Sequence, residues 1–111
     1  MFKYWNGNIL ENSQVTVFAF DEDKLIGFAR AITDGVRQAA IYDVAILPEY
    51  QGIGIGKLLM ENIKAKLSYC NIILYSNVGK EGFYERLGFK LLKTGMGLFV
   101  EEERAREKGF I

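Results

Sequence analysis

Few residues in this chain could do chemistry. Three glycines alternate through "QGIGIGK", Gln51 to Lys57, just before an amphipathic helical pattern. A glycine-rich turn ending in a helix start presents unpaired N–H groups and the positive end of the helix dipole, which together suit an anion. The sequence has no histidine and one cysteine, Cys70. Ser-His-Asp and Cys-His catalysis are thereby excluded, as are His-ligated metal sites, and no metal is expected. Carboxylates, tyrosines, lysines, backbone amides or a cofactor remain. Asp43 is the only charge inside the apolar run Ala39 to Leu47. A carboxylate there must find hydrogen-bond partners or shift its pKa upward, which suits a base or an amine anchor, and equally a structural aspartate bonded to backbone. Cys70 follows Tyr69 with no basic neighbour to activate it and reads as an inert thiol.

Patterning supplies the elements that must hold these groups. "QVTVFAF" (Gln14 to Phe20), "LIGFARAI" (Leu25 to Ile32) and "AAIYDVAIL" (Ala39 to Leu47) read as three strands on short turns, the second turn carrying Asp34-Gly35. Each is apolar on both faces, which predicts a sheet covered on both sides. Ile55, Leu58, Leu59, Ile63 and Leu67 then recur at helical spacing, predicting a helix over Gly54 to Ser68. A strand "NIILYS" follows, then a short helix "KEGFYERLG" capped by Gly88, then "FKLLK" and "GLFV" as a closing hairpin. A strand, loop, helix and strand in succession form a crossover unit, so the third and fourth strands should be parallel. The expected class is α+β: a mixed, mostly antiparallel central sheet with flanking helices, ordered strand-strand-strand-helix-strand-helix-strand-strand.

The length of 111 residues, without repeats or Pro-rich linkers, predicts one domain over 1–111, with 101–111 as a charged C-terminal tail. Fourteen basic residues balance fourteen acidic ones, so no bulk attraction for nucleic acid or an anionic membrane is expected, and anion binding must be local. No apolar run approaches the roughly 20 residues that span a bilayer, and the start lacks signal-peptide order. A single cysteine fits a reducing cytoplasm.

Exclusion narrows the anion. Only three residues separate Gly52 from Gly56-Lys57, and Leu58 stands where the Walker pattern needs Ser or Thr. G-x-G-x-x-G fails because Lys57 and Leu59 occupy the third glycine's place. Q/R-x-x-G-x-G/A fits, through Gln51, Gly54 and Gly56. That motif, behind the lead-in "VAILPEYQG", resembles the pyrophosphate loop of the GNAT superfamily of acyl-CoA-dependent N-acetyltransferases. "NVGKEGFYERLGF" resembles its later signature, with Asn77, Gly79, Phe83, Tyr84, Gly88 and Phe89 in register. The resemblance covers roughly Gln14 to Val100.

The resemblance implies acetyl-CoA as donor and direct attack of a primary amine, small or peptidic, on its thioester. Main-chain groups of Ala45, Ile46 and Leu47 would meet the pantetheine arm where the third strand splays from the parallel one. Amides of Gln51, Gly52, Ile53, Gly54, Ile55, Gly56 and Lys57 would hold the pyrophosphate. Tyr84 would be the general acid for the departing thiolate, and Asn77 a pantetheine contact or helix cap. Family members usually begin with another strand and one or two helices, and the segment "MFKYWNGNILENS" looks too short for that unit. The alternative is an acyl-CoA-binding sensor or assembly module with little catalysis. A homodimer sharing strands or tails is compatible with either.

Overall fold

The structure, a computed structural model, describes residues 2–5 and 14–111. Its contacts gather into two compact units, Met1–Leu74 and Tyr75–Ile111.

The first unit is built on a five-stranded sheet in the order β1-β2-β3-β4-β5. The strands are β1 (Phe2–Trp5), β2 (Gln14–Asp21), β3 (Lys24–Thr33), β4 (Gln38–Ile46) and β5 (Asn71–Ile73). Successive pairs from β1 to β4 are antiparallel. β5 lies parallel to β4 after the crossover through helix α1, Ile55–Lys66. The mixed, mostly antiparallel sheet is the one the pattern predicts. The opening segment differs from expectation, because it does supply an extra strand. Phe2 pairs with Ala19 and Trp5 with Thr16 along the free edge of β2. Four residues rich in aromatics suffice for this, since a sheet edge needs only a short partner of high β-propensity. Residues 6–13 of that segment lie outside the described residues.

Along β3, Gly27, Ala29, Ala31 and Thr33 are buried at alternate positions. These small side chains let α1 lie close, and Leu59, Met60 and Ile63 of α1 and its C-cap residue Leu67 are fully buried. Steps of 100° per residue put those four on one stripe. Leu58, expected on it, is 48% exposed, and Met60 takes its place. The β3–β4 turn is tied by Asp34, whose Oδ1 accepts the N–H groups of Val36, Arg37 and Gln38 at 2.8–3.1 Å. Those three donors hold its carboxyl below the usual carboxylate range.

The second unit carries two short helices, α2 (Glu81–Arg86) and α3 (Glu102–Glu107). Both stop in the same way. Gly88 and Gly109 adopt left-handed φ of 97° and 82°. Phe89 N–H then donates to the Tyr84 carbonyl, and Phe110 N–H to the Ala105 carbonyl. With the bonds Gly88 to Glu85 and Gly109 to Arg106, each end is a Schellman stop. The expected closing hairpin is a correction: residues 89–93 and 97–100 are not strands. Strand propensity is not sufficient without a partner for the backbone. No backbone hydrogen bond joins those two stretches among the described residues.

Gly27 sets how near α1 can come. A Cβ there would sit 2.9 Å from the Ala45 carbonyl oxygen and 3.3 Å from Leu59 Cδ1. Gly27→Ala should therefore destabilise the protein by about 1–3 kcal/mol, as overpacking does, read as a lower midpoint in urea at unchanged m.

Candidate active site

The site begins where a ladder stops. β4 and β5 pair over three positions, Gln38 with Asn71, Ala39 with Ile72 and Ala40 with Ile73. β4 runs six residues further, to Ile46, without a partner on that side. Between Asp43 and Ile41 the β3–β4 register shifts, leaving Tyr42 as an extra residue. A bulge bends its strand and raises the local twist, so β4 turns aside just past its last pair with β5.

Alternation then decides which main-chain groups face the open side. Leu47 N–H donates to the Ile26 carbonyl at 2.9 Å, and its own carbonyl accepts Tyr50 N–H. Groups pointing at one neighbour recur at every second residue of an antiparallel strand, so Ala45 also turns toward β3. Ile46 and Val44 present N–H and C=O to the open edge. Of the three positions expected there, Ile46 faces the opening, whereas Leu47 has both groups engaged. Val44 was not anticipated, and only the register identifies it.

The Ile46 carbonyl has a partner: Gln51 Nε2 donates to it at 2.9 Å. That bond ties the glycine loop back to the end of β4. Between them, Pro48–Tyr50 forms a single 3-10 turn, with proline at its start. The Tyr50 hydroxyl donates to Asp21 at the end of β2, and that carboxylate pushes the phenol above its ordinary pKa. Lys24 lies 3.8 Å from Glu49 and 5.5 Å from the Tyr50 ring centroid. The loop is thus anchored to the β2–β3 turn. No local sequence motif marks Tyr50, because its partner is 29 residues away.

Gly52 and Gly54 adopt φ of +80° and +94°, and a Cβ at either would meet nothing within 4 Å. Glycine is needed there for backbone conformation, and the space beside it is open. Gly56 lies in the first turn of α1 and is buried. Gly54 caps α1, and its carbonyl accepts the first helical bond, from Leu58 at 3.1 Å. The N–H groups of Ile55, Gly56 and Lys57 precede that bond and have no intrahelical acceptor. Ile53, between two glycines, is 67% exposed, so the loop's side chains leave its amides uncovered.

Asp43 has found its partner. Arg30, opposite it in the ladder, donates from Nε to Oδ2 at 2.7 Å, with both side chains partly exposed. In the second unit, Tyr84 is half-buried on α2, edge-on to Phe83 and Phe89 with ring centroids 5.0 and 6.0 Å away. Burial raises its pKa above the ordinary tyrosine value, so it holds its proton more firmly. No hydrogen bond engages its hydroxyl among the described residues. Asn77 does not cap α2 with its side chain; its carbonyl accepts Lys80 N–H.

A bulged strand parting from its parallel neighbour beside a left-handed glycine turn defines the class: an acetyltransferase-like fold. Residues 12–91 match the family described as acetyltransferase (GNAT) domain, and the chain belongs to that family. It is 41% identical over 93 residues to an uncharacterized ycf52-like N-acetyltransferase of Prochlorococcus marinus, covering 78% of this chain and 52% of that one. It is 42% identical over 69 residues to serotonin N-acetyltransferase 2, chloroplastic, of rice, covering 60% of this chain and 34% of that protein. A GNAT-family acetyltransferase structure from Streptococcus pneumoniae superposes with a TM-score of 0.79 at 25% identity, covering 91% of this chain and 98% of that one. The chain spans about half the length of the curated relatives it matches.

Gly54→Ala should strain the loop by about 1–3 kcal/mol and weaken coenzyme A binding roughly tenfold or more in a calorimetric titration. Gly35→Ala is the control. Gly35 has a φ of +76° and equally open surroundings in the β3–β4 turn, so that variant should lose stability while keeping its affinity.

Proposed function

We propose that this chain is an N-acetyltransferase that moves an acetyl group from acetyl-CoA to a primary amine by direct attack in a ternary complex. The observation that carries it is the pairing of an open β4 edge with a glycine turn whose amides are uncovered. The residues fit the donor. Amides from Gly52 to Lys57 suit its diphosphate, and the outward groups of Val44 with the N–H of Ile46 suit the amides of its pantetheine arm. Acetyl-CoA, when bound, supplies the activated acetyl group. Gln51 holds the turn to β4, and the uncovered amides fix the anion without help from net charge.

Tyr84 is assigned to the departing sulfur as proton donor. A phenol carries its proton throughout the neutral range, and burial holds that proton more firmly still. Asp43 is assigned to the acceptor amine, taking its proton directly or through water at Oδ1, while Arg30 holds Oδ2. The acceptor is a small or peptide amine. Tryptamine-type amines belong in the first panel, because the rice relative is named for serotonin.

Thioester turnover should appear with at least one amine in a panel of arylalkylamines, polyamines, amino acids and peptide N-termini. Coenzyme A binding without turnover of any amine would instead favour an acyl-CoA-binding module. Tyr84→Phe should lower kcat by more than about tenfold with donor affinity retained. An ordinary tyrosine loses its proton near pH 10, and burial raises that value. The alkaline fall in wild-type kcat assigned to Tyr84 should therefore lie above pH ~10, and Tyr84→Phe should abolish that limb.

A further inference from the structure

A second candidate site lies wholly within the unit Tyr75–Ile111. Three aromatic rings there pack against one another. The planes of Phe99 and Phe110 lie within 10° of parallel, with centroids 6.4 Å apart. Tyr75 stands edge-on to both, at 84° to Phe99 and 77° to Phe110. Yet Tyr75 remains 60% exposed. A cavity of about 320 Å³ opens among these rings, Ala105, Arg104 and Lys108.

The two Schellman stops read "YERLGF" and "AREKGF". At the first, Phe89 folds back onto Tyr84, the residue whose carbonyl it bonds, and the rings fill the space. At the second, Phe110 N–H bonds the carbonyl of Ala105, a small buried residue that also lines the cavity. The rim carries two cations and one anion. Glu101 Oε2 lies 3.8 Å from Arg104 Nη1, so its charge is already balanced. Lys108 forms no ion pair among the described residues.

We propose that this slot binds a planar aromatic molecule bearing a single anionic group, its ring lying against Phe99, Phe110 and Tyr75 and its anion facing Lys108. The ring walls supply stacking and edge contacts, which prefer offset or perpendicular geometry. The net positive rim selects an anion over an ammonium ion, and the volume admits one or two fused rings with a short substituent. The proposal is independent of the acetyl-transfer reading.

The test uses the full chain and 2-naphthoate as probe, with 2-naphthamide and 2-naphthylmethylammonium as neutral and cationic partners, followed by NMR of the ring protons. Naphthoate should saturate with shifts confined to Tyr75, Phe99 and Phe110, and the amide should bind about fivefold more weakly. Lys108→Gln, a surface change, should erase the difference between acid and amide, while Lys93→Gln should leave it intact. Phe110→Leu, which keeps an apolar side chain at the stop, should weaken all three. Absence of saturation, equal binding of the amide, or tighter binding of the ammonium would overturn the proposal. Displacement of naphthoate by coenzyme A would overturn it as a separate site.

Discussion

The structure depends on a strand that parts from its neighbour. Two parallel strands with matched twist would pair along their whole length, and the main-chain groups of β4 would be consumed. The extra residue at Tyr42 prevents this. Its bulge sits immediately past Ala40, the last residue of β4 paired with β5, and the bend it introduces directs β4 away. The rest of β4 remains a half-satisfied strand, bonded to β3 on one side and open on the other. An open edge is normally a liability, because it invites pairing with another chain. Here it is confined to six residues ending at the glycine turn, so a ligand able to hydrogen-bond like a strand can complete it.

In the proposed reading the ligand must also be held at its charged end, and this chain has no net charge with which to do so. The solution is positional. Uncovered amides attract an anion only if they stay where the anion arrives, and a glycine turn is intrinsically loose. Three contacts remove that looseness: Gln51 to the Ile46 carbonyl, Tyr50 to Asp21, and Lys24 to Glu49. The exposed Lys24–Glu49 pair contributes little on its own. The Gln51 bond matters more, because it joins the turn directly to the open strand. Asp43 belongs to the same economy of charge: its carboxylate stands in a strand, balanced by Arg30 one position across the ladder.

How much of this the sequence discloses depends on whether the cause is local. Gly52 and Gly54 announce a left-handed turn in residue type alone, and Gly88 announces a helix stop, because each conformation is set within a few residues. The meander and the crossover helix are legible for the same reason. Tyr50 carries no signal, since what fixes it is an aspartate on another turn. The distinction between Ala45 and Val44 is invisible until the register is known, because a one-residue shift exchanges which groups face outward. The opening segment looks too short for an extra strand-and-helix unit, yet four of its residues form β1 by pairing with the edge of β2. The stretch 89–100 errs in the opposite direction: "FKLLK" and "GLFV" have strand composition, but composition does not provide a partner.

The two helix stops show how the same backbone grammar can serve different ends. Each places a phenylalanine over the residue five positions before it, and the left-handed glycine makes that return obligatory. What the return encloses is decided by the covered residue. With tyrosine there, Phe89 lies edge-on to a half-buried phenol whose pKa burial raises. With alanine there, the covered residue is small, and it lines the cavity beside Phe110. The main-chain bonds that impose the return involve no side chain at all, so the same stop accepts either residue.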